Sequence, residues 1–309
     1  MAKRWAVALV IGLLAAACSG ADRRSSAGPP VVATAIGSDE PTDGRASAKA
    51  TPTADPRAPD LAGLFDVGGY SLYLECRGTT GPVVLFDAGS GSDSASWNRS
   101  RKDFIGLVDD SHRRCLYDRA NLGASDRVPG RRTSATAARD IHELLHAASL
   151  PPPYVLVGRS YGGFNVRLFA ATYPSETQAL VLIETLTPEF LAEMLPLLTP
   201  RQRAEEIASF EDIEPPLDEI ASGPLVSAAE LPDVPLLVVA GTKWHSGNAP
   251  WPSDWPGEEL DALWARAQVG LASAVPRGKL VVFEGGDHSL HISEPERLAK
   301  EINDFLAAS

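Results

Sequence analysis

Basic residues are in short supply in this chain. Its 28 Lys and Arg stand against 40 Asp and Glu, a net charge of −12 over 309 residues. A chain that acidic lacks the basic patches that hold nucleic acid, and its charge speaks mainly of solubility. Long apolar runs are missing as well. Residues 5–17 form a 13-residue apolar run, too short to span a bilayer as a helix. Aromatic side chains are absent from residues 19–60, a stretch rich in Ala, Ser, Thr, Pro, Gly and Asp, so that stretch cannot bury enough surface to fold. There is no internal repeat, and cysteine is limited to an odd three. What remains is 44% apolar, enough for one large core.

The N-terminal run has the features of an export signal. Lys3 and Arg4 precede it, and its length suits the apolar segment of a signal peptide, here residues 1–17. It ends in Leu14-Ala15-Ala16-Ala17-Cys18-Ser19-Gly20. That segment resembles a bacterial lipobox, which implies a lipidated Cys18 as the new N-terminus and an exported chain anchored to the outer face of the cell membrane. Residues 18–60 then read as a lipidated, disordered tether with an end-to-end reach of roughly 35 Å. The folded part is expected over residues 61–309.

Within it, residues 154–163 read Tyr-Val-Leu-Val-Gly-Arg-Ser-Tyr-Gly-Gly. An apolar run meets Gly158, Ser160, Gly162 and Gly163, and good helix formers follow to residue 171, which predicts strand, sharp turn and helix. The turn fits G-x-S-x-G, where glycines let strand and helix pack closely around a serine held in a strained conformation. The hydroxyl then stands above the sheet, with the free N–H groups of a helix N-terminus beside it.

Strands are predicted at residues 61–67 and 70–76, joined at Gly68-Gly69, and at 82–86, 114–117, 179–183, 234–239 and 279–283. Helices are predicted at 136–148, 258–272 and 296–306, and alternation of strand and helix predicts a mostly parallel sheet covered on both faces. His142-Glu143-Leu144-Leu145-His146 is a literal H-E-x-x-H, the pattern of zinc-protease helices. Pro151 stops this helix, no third His stands at the metzincin spacing, and Ile141, Leu144 and Leu145 claim the core face. The expectation is two polar residues on an amphipathic helix, with no metal.

The serine turn is one of a series. Residues 83–91 with Trp97, Tyr117-Asp118-Arg119-Ala120 with Gly123 and Ser125, Tyr173-Pro174, and Gly285-Gly286-Asp287-His288 with Pro295-Glu296 follow in order. Together they resemble the α/β-hydrolases over essentially all of residues 61–309. Arg159 replaces the usual His before the nucleophile, and Asp87-Ala88-Gly89 replaces the common His-Gly. The resemblance implies an α/β-hydrolase fold with a mostly parallel eight-stranded sheet and a short helical cap at about residues 185–233, with cap helices at 189–198 and 201–210. It implies Ser160 as nucleophile and His288 as base, since a serine needs an imidazole to take its proton. The acid is expected at Glu184, with Asp254 and Asp261 as alternatives. Backbone N–H groups of Tyr161 and Ser90 are expected to form the oxyanion hole, with Gly91 the alternative to Ser90. His291 is expected as a packing residue, and His112 and His245 in loops.

Several further expectations follow from that resemblance. An apolar stripe at Leu191, Met194, Leu195 and Leu198 lines an acyl pocket or packs on the sheet, and Trp244, Trp251, Trp255 and Trp264 gather after the seventh strand. Lipidation of Cys18 leaves Cys76 and Cys115, and the usual strand order of the family makes their strands neighbours, so a disulfide is expected. The activity implied is that of a monomeric serine hydrolase without metal or organic cofactor. It would cleave a small neutral or hydrophobic ester through an acyl-enzyme. An amidase or aminopeptidase of the same fold, or a non-catalytic binding protein, are the alternatives. A serine at position 160 speaks against epoxide hydrolase and haloalkane dehalogenase, which use Asp there.

Overall fold

The computed structural model describes residues 57–99, 102–213, 218–245 and 254–309. The expected signal peptide, Cys18, most of the expected tether and Trp251 lie outside these residues. The strands are β1 (Leu61–Asp66), β2 (Ser71–Arg77), β3 (Val83–Asp87), β4 (Arg113–Tyr117), β5 (Tyr154–Arg159), β6 (Thr177–Ile183), β7 (Leu236–Gly241) and β8 (Gly278–Phe283). The helices are α1 (Phe104–Leu107), α2 (Ser134–Ala147), α3 (Gly162–Thr172), α4 (Pro188–Leu197), α5 (Pro200–Ile213), α6 (Glu219–Ser227), α7 (Gly257–Ala272), α8 (Leu290–Ser293) and α9 (Pro295–Leu306). One eight-stranded sheet runs β1-β2-β4-β3-β5-β6-β7-β8. β2 pairs antiparallel with β1 and β4, and every other pairing is parallel.

Both faces of this sheet are covered, which is why its central strands are apolar throughout rather than alternating. Tyr154 and Leu156 of β5 point to one face, where they meet Ile141, Leu144 and Leu145 of α2 and Val166 and Phe169 of α3. Val155 and Val157, one step along the same strand, point to the other face and pack with Trp97, Phe104 and the Leu298, Ile302 and Leu306 stripe of α9. The two-residue period of a strand builds two cores from one run of sequence. At the antiparallel edge, Gly68 and Gly69 turn β1 into β2 with φ of 100° and 105°, a conformation open to glycine at no steric cost.

Cys76 and Cys115 stand directly opposite in the β2–β4 register and are joined in a disulfide, with Cα atoms 4.0 Å apart. Between β6 and β7 the chain forms α4, α5 and α6. The stripe on α4 joins a third core: Phe190, Leu191, Met194 and Leu198 are buried with Trp244, Trp255 and Trp264. Helix α6 was not expected from the sequence, because Gly223 and Pro224 sit inside it and both are poor helix formers. No helix among the described residues is long and apolar enough to cross a membrane.

Candidate active site

In a parallel sheet the C-terminal ends of neighbouring strands lie side by side, and three of them converge here. Ser160 follows β5, Glu184 follows β6 and His288 follows β8. Ser160 has φ 52° and Glu184 φ 47°, left-handed conformations that cost a residue with a Cβ of order 1 kcal/mol or more. The Ser160 strain is held in place by crowding on both sides. A Cβ on Gly158 would sit 2.7 Å from the Gly162 carbonyl oxygen and the Gly163 Cα, and Cβ atoms on Gly162 or Gly163 would run into Asp87 or Thr185. The Ser160 N–H donates to Ile183 O at 3.0 Å and the Glu184 N–H to Val239 O at 2.8 Å, so each strained residue is tied to the next strand.

Ser160 Oγ lies 3.1 Å from His288 Nε2, and His288 Nδ1 lies 3.1 Å from Glu184 Oε2. The tautomer that satisfies both contacts carries its proton on Nδ1, donates it to Glu184, and leaves Nε2 to accept from the serine. Glu184 is fully buried, and its other carboxylate oxygen accepts the Gly241 N–H. Burial pushes this carboxyl up, while the Gly241 N–H and the Arg159 guanidinium act in the opposite sense. Asp254 is not part of this chain of contacts; it pairs with exposed Arg201 at 2.6 Å. Asp261 accepts the His245 N–H at 2.6 Å. Of the three candidate acids, the structure brings Glu184 to His288.

His288 is held well below the usual imidazole range, first by burial and then by the charge of Arg159. The rings of Trp244 and Trp264 meet it in edge-type contacts, with centroids at 6.0 and 5.7 Å, and leave its side chain 18% exposed. Both packing and electrostatics therefore favour the neutral imidazole, the form that accepts a proton. Arg159 Nη2 donates to the His288 carbonyl at 3.4 Å, and burial lowers its own pKa to about 10. His291 is packed against Trp97, centroid to centroid 5.3 Å, and is pushed down to about 3 by burial. It acts as a neutral packing residue.

Tyr161 is the N-terminal cap residue of α3, with its side chain fully buried. Its hydroxyl is held by Ser134 of α2 and Ser222 of α6, each at 3.0 Å, which fixes the backbone next to Ser160. On the other side, Gly89 approaches so closely that a Cβ there would lie 3.2 Å from Ser160 Cβ. The loop that carries Ser90 therefore borders the serine. Arg119 pins this loop: its guanidinium donates to Ala88 O and Gly89 O, both at 2.7 Å, and to Asp87 Oδ1 at 2.6 Å. Asp87 also accepts from Asn165 at 3.0 Å. This support was not evident in the sequence. The one hint was Asp87 standing where the common loop has another residue.

The profile of the Alpha/beta hydrolase family matches residues 83–301. The chain is similar to the protein YqjL of Bacillus subtilis (strain 168), 30% identical over 251 residues that cover 79% of this chain and 92% of YqjL. Among solved structures it resembles a thermophilic esterase from Thermogutta terrifontis, with TM-score 0.51 and 24% identity over 80% of this chain and 98% of the other. It also resembles the esterase RhEst1 from Rhodococcus sp. ECU1013, with TM-score 0.53 and 18% identity over 79% of this chain and 98% of the other. At such identities the likeness speaks for the fold.

Proposed function

The chain belongs to the alpha/beta hydrolase family, and from that premise we propose that it is a serine carboxylesterase that works through an acyl-enzyme. The observation that carries this reading is the continuous path Ser160 Oγ, His288 Nε2, His288 Nδ1 and Glu184 Oε2, with both links at 3.1 Å. In the proposed reaction Ser160 Oγ attacks the ester carbonyl carbon as its proton passes to His288 Nε2. The imidazolium formed is stabilised and oriented by Glu184. Negative charge collects on the former carbonyl oxygen, where the backbone N–H groups of Tyr161 and Ser90 receive it; a donor of that kind is worth about 10²- to 10³-fold in rate. The imidazolium then protonates the departing alcohol, and the acyl group stays on Ser160. Water enters, gives its proton to His288 and releases the acid.

The apolar surroundings suit a neutral or hydrophobic ester. Phe190, Trp244 and Trp264 pack together, and the two tryptophans lie beside His288. The same proposal places the enzyme outside the cell, held at the membrane by lipid on Cys18, with the catalytic domain over residues 61–309 acting as a monomer. The test of the chemistry is a fluorophosphonate probe followed by peptide mapping. A modified peptide containing Ser160 is the expected result, together with turnover of nitrophenyl esters. A chain that takes no label and turns over no ester in the series would refute the assignment.

A further inference from the structure

A second cluster of reactive side chains lies at the other end of the sheet. His142 and His146 are four residues apart on α2, so both imidazoles leave the same side of the helix. Glu176 ends the short 3₁₀ turn Pro174–Glu176, immediately before β6. His142 Nε2 lies 3.3 Å from Glu176 Oε1, and His146 Nε2 lies 3.2 Å from Glu176 Oε2. One ligand atom from each of the three residues falls within 4.8 Å of the others.

The His142 ring is set before any ion arrives. It stacks on Tyr173 with centroids 4.0 Å apart and planes at 11°. Its Nδ1 faces Glu143 Oε1 at 3.4 Å. Without an ion, Nε2 faces Glu176 as a donor. When a metal takes the place of that proton, the Glu143 carboxylate keeps the remaining proton on Nδ1 and Nε2 gives its lone pair to the metal, the arrangement that supports metal-bound imidazoles in general.

We propose that His142, His146 and Glu176 bind one zinc ion that clamps α2 to the start of β6. In a tetrahedral zinc site with bonds of about 2.0–2.1 Å, neighbouring ligand atoms stand about 3.3–3.4 Å apart. Measured to the same carboxylate oxygen, Oε1, His142 Nε2 and His146 Nε2 each stand 3.3 Å away, which is that value. Imidazole is the borderline donor that suits zinc, zinc also takes a carboxylate oxygen, and a water completes the fourth position. The spacing within H-E-x-x-H left this helix without a third ligand; the third comes from a different element, 30 residues beyond His146.

The clamp is structural, because it is remote from the serine. Glu176 precedes β6 and Glu184 follows it. A strand advances about 3.3 Å per residue, which puts Glu176 and Glu184 roughly 25 Å apart. Glu143, in the position of a zinc-protease general base, is engaged with His142 Nδ1 and has the supporting role.

The test is titration of the purified full-length chain, stripped with a chelator, with zinc chloride alone, read by calorimetry and by unfolding temperature. One equivalent should bind and raise the unfolding temperature. His146→Ala and Glu176→Gln should each weaken binding on the order of tenfold or more, and Glu143→Gln should weaken it by a smaller factor. The His146 side chain is 46% exposed, so its truncation removes a ligand and leaves the core intact. Ester hydrolysis should be the same in stripped and loaded protein. Absence of a saturable one-equivalent step at micromolar zinc, or uptake unchanged in both His146→Ala and Glu176→Gln, would overturn the proposal.

Discussion

Arg119 and Asp87 form a buried ion pair, Nη1 to Oδ1 2.6 Å, with side chains 6% and 0% exposed, directly beneath the loop that borders Ser160. Its worth lies in position more than in stability. Two charges removed from water gain little net free energy even when well paired, yet removal of one partner strands the other. Burial already pushes the Asp87 carboxyl up, against the pull of Arg119 and Asn165. Arg119→Ala should therefore cost about 3–5 kcal/mol in urea unfolding. The paired variant Arg119→Met with Asp87→Leu should recover most of that stability while activity stays low, because nothing then holds the Ala88 and Gly89 carbonyls. Full activity in the paired variant would show that the loop needs no such support.

Ser160→Ala and His288→Ala should each reduce ester turnover to the same residual level, and the double variant should be no slower than either, since the two residues form one proton-transfer unit. Glu184→Gln keeps the shape and removes the charge that stabilises the imidazolium, so kcat should fall by about 10⁴-fold. Steady-state kinetics on folded protein measure both. A double variant much slower than the singles would mean that the residues act separately.

Cys76 and Cys115 close a loop with a sequence separation of 39, and on the chain-entropy model a bridge of that span stabilises by about 3–4 kcal/mol. Both residues are fully buried, so the Cys76→Ala, Cys115→Ala pair loses little packing beyond the bridge. Its denaturant midpoint should drop without a change in kcat, because the bridge lies on the antiparallel side of the sheet. Alkylation of both cysteines in unreduced, denatured wild-type protein would show that no bridge forms.

The sequence carried the serine clearly because its chemistry imposes backbone sterics: Gly158 and Gly162 are required by contacts that a Cβ would violate, and glycine is visible in a sequence. His288 and Glu184 were legible through their place after strands, given the resemblance to a known fold. Glu184 stood ahead of Asp254 and Asp261 because it follows its strand directly, and the coordinates add its contact with His288. The Arg119–Asp87 pair spans 32 residues and has no local pattern. Glu176 was hidden from the His142–His146 pair for the same reason. Helix α6 was hidden differently: local propensity at Gly223 and Pro224 opposes a helix, and tertiary contacts such as Ser222 to Tyr161 prevail.

Membrane attachment through Cys18 predicts a simple fractionation. Each buried CH₂ of an acyl chain contributes about 0.8 kcal/mol, so two or three chains anchor firmly where one short chain does not. Cys18→Ala should move the protein from the membrane fraction to the soluble exported fraction with esterase activity retained. Unchanged fractionation would exclude the lipid anchor.

The electrostatics around His288 set the acid limb of the pH profile. Only the neutral imidazole can take the Ser160 proton, and burial, followed by Arg159, holds His288 well below its ordinary value of 6.5. The base therefore stays competent as pH falls through the range where a free imidazole would become charged. The acid limb of kcat/KM, which reports the free enzyme, should have its midpoint below 6.5. Arg159→Gln removes a positive neighbour, so the imidazole pKa rises and the midpoint moves to higher pH. These two histidines, His288 and His291, make a stability contribution of the same sign. The unfolded chain takes up protons at His288 and at His291, which is held at about 3 in the fold, so their contribution is lost as pH falls, while the raised carboxyls of Glu184 and Asp87 act in the opposite sense. An acid limb identical in wild type and Arg159→Gln would mean that the guanidinium charge does not reach the base, and would leave Arg159 only its contact with the His288 carbonyl.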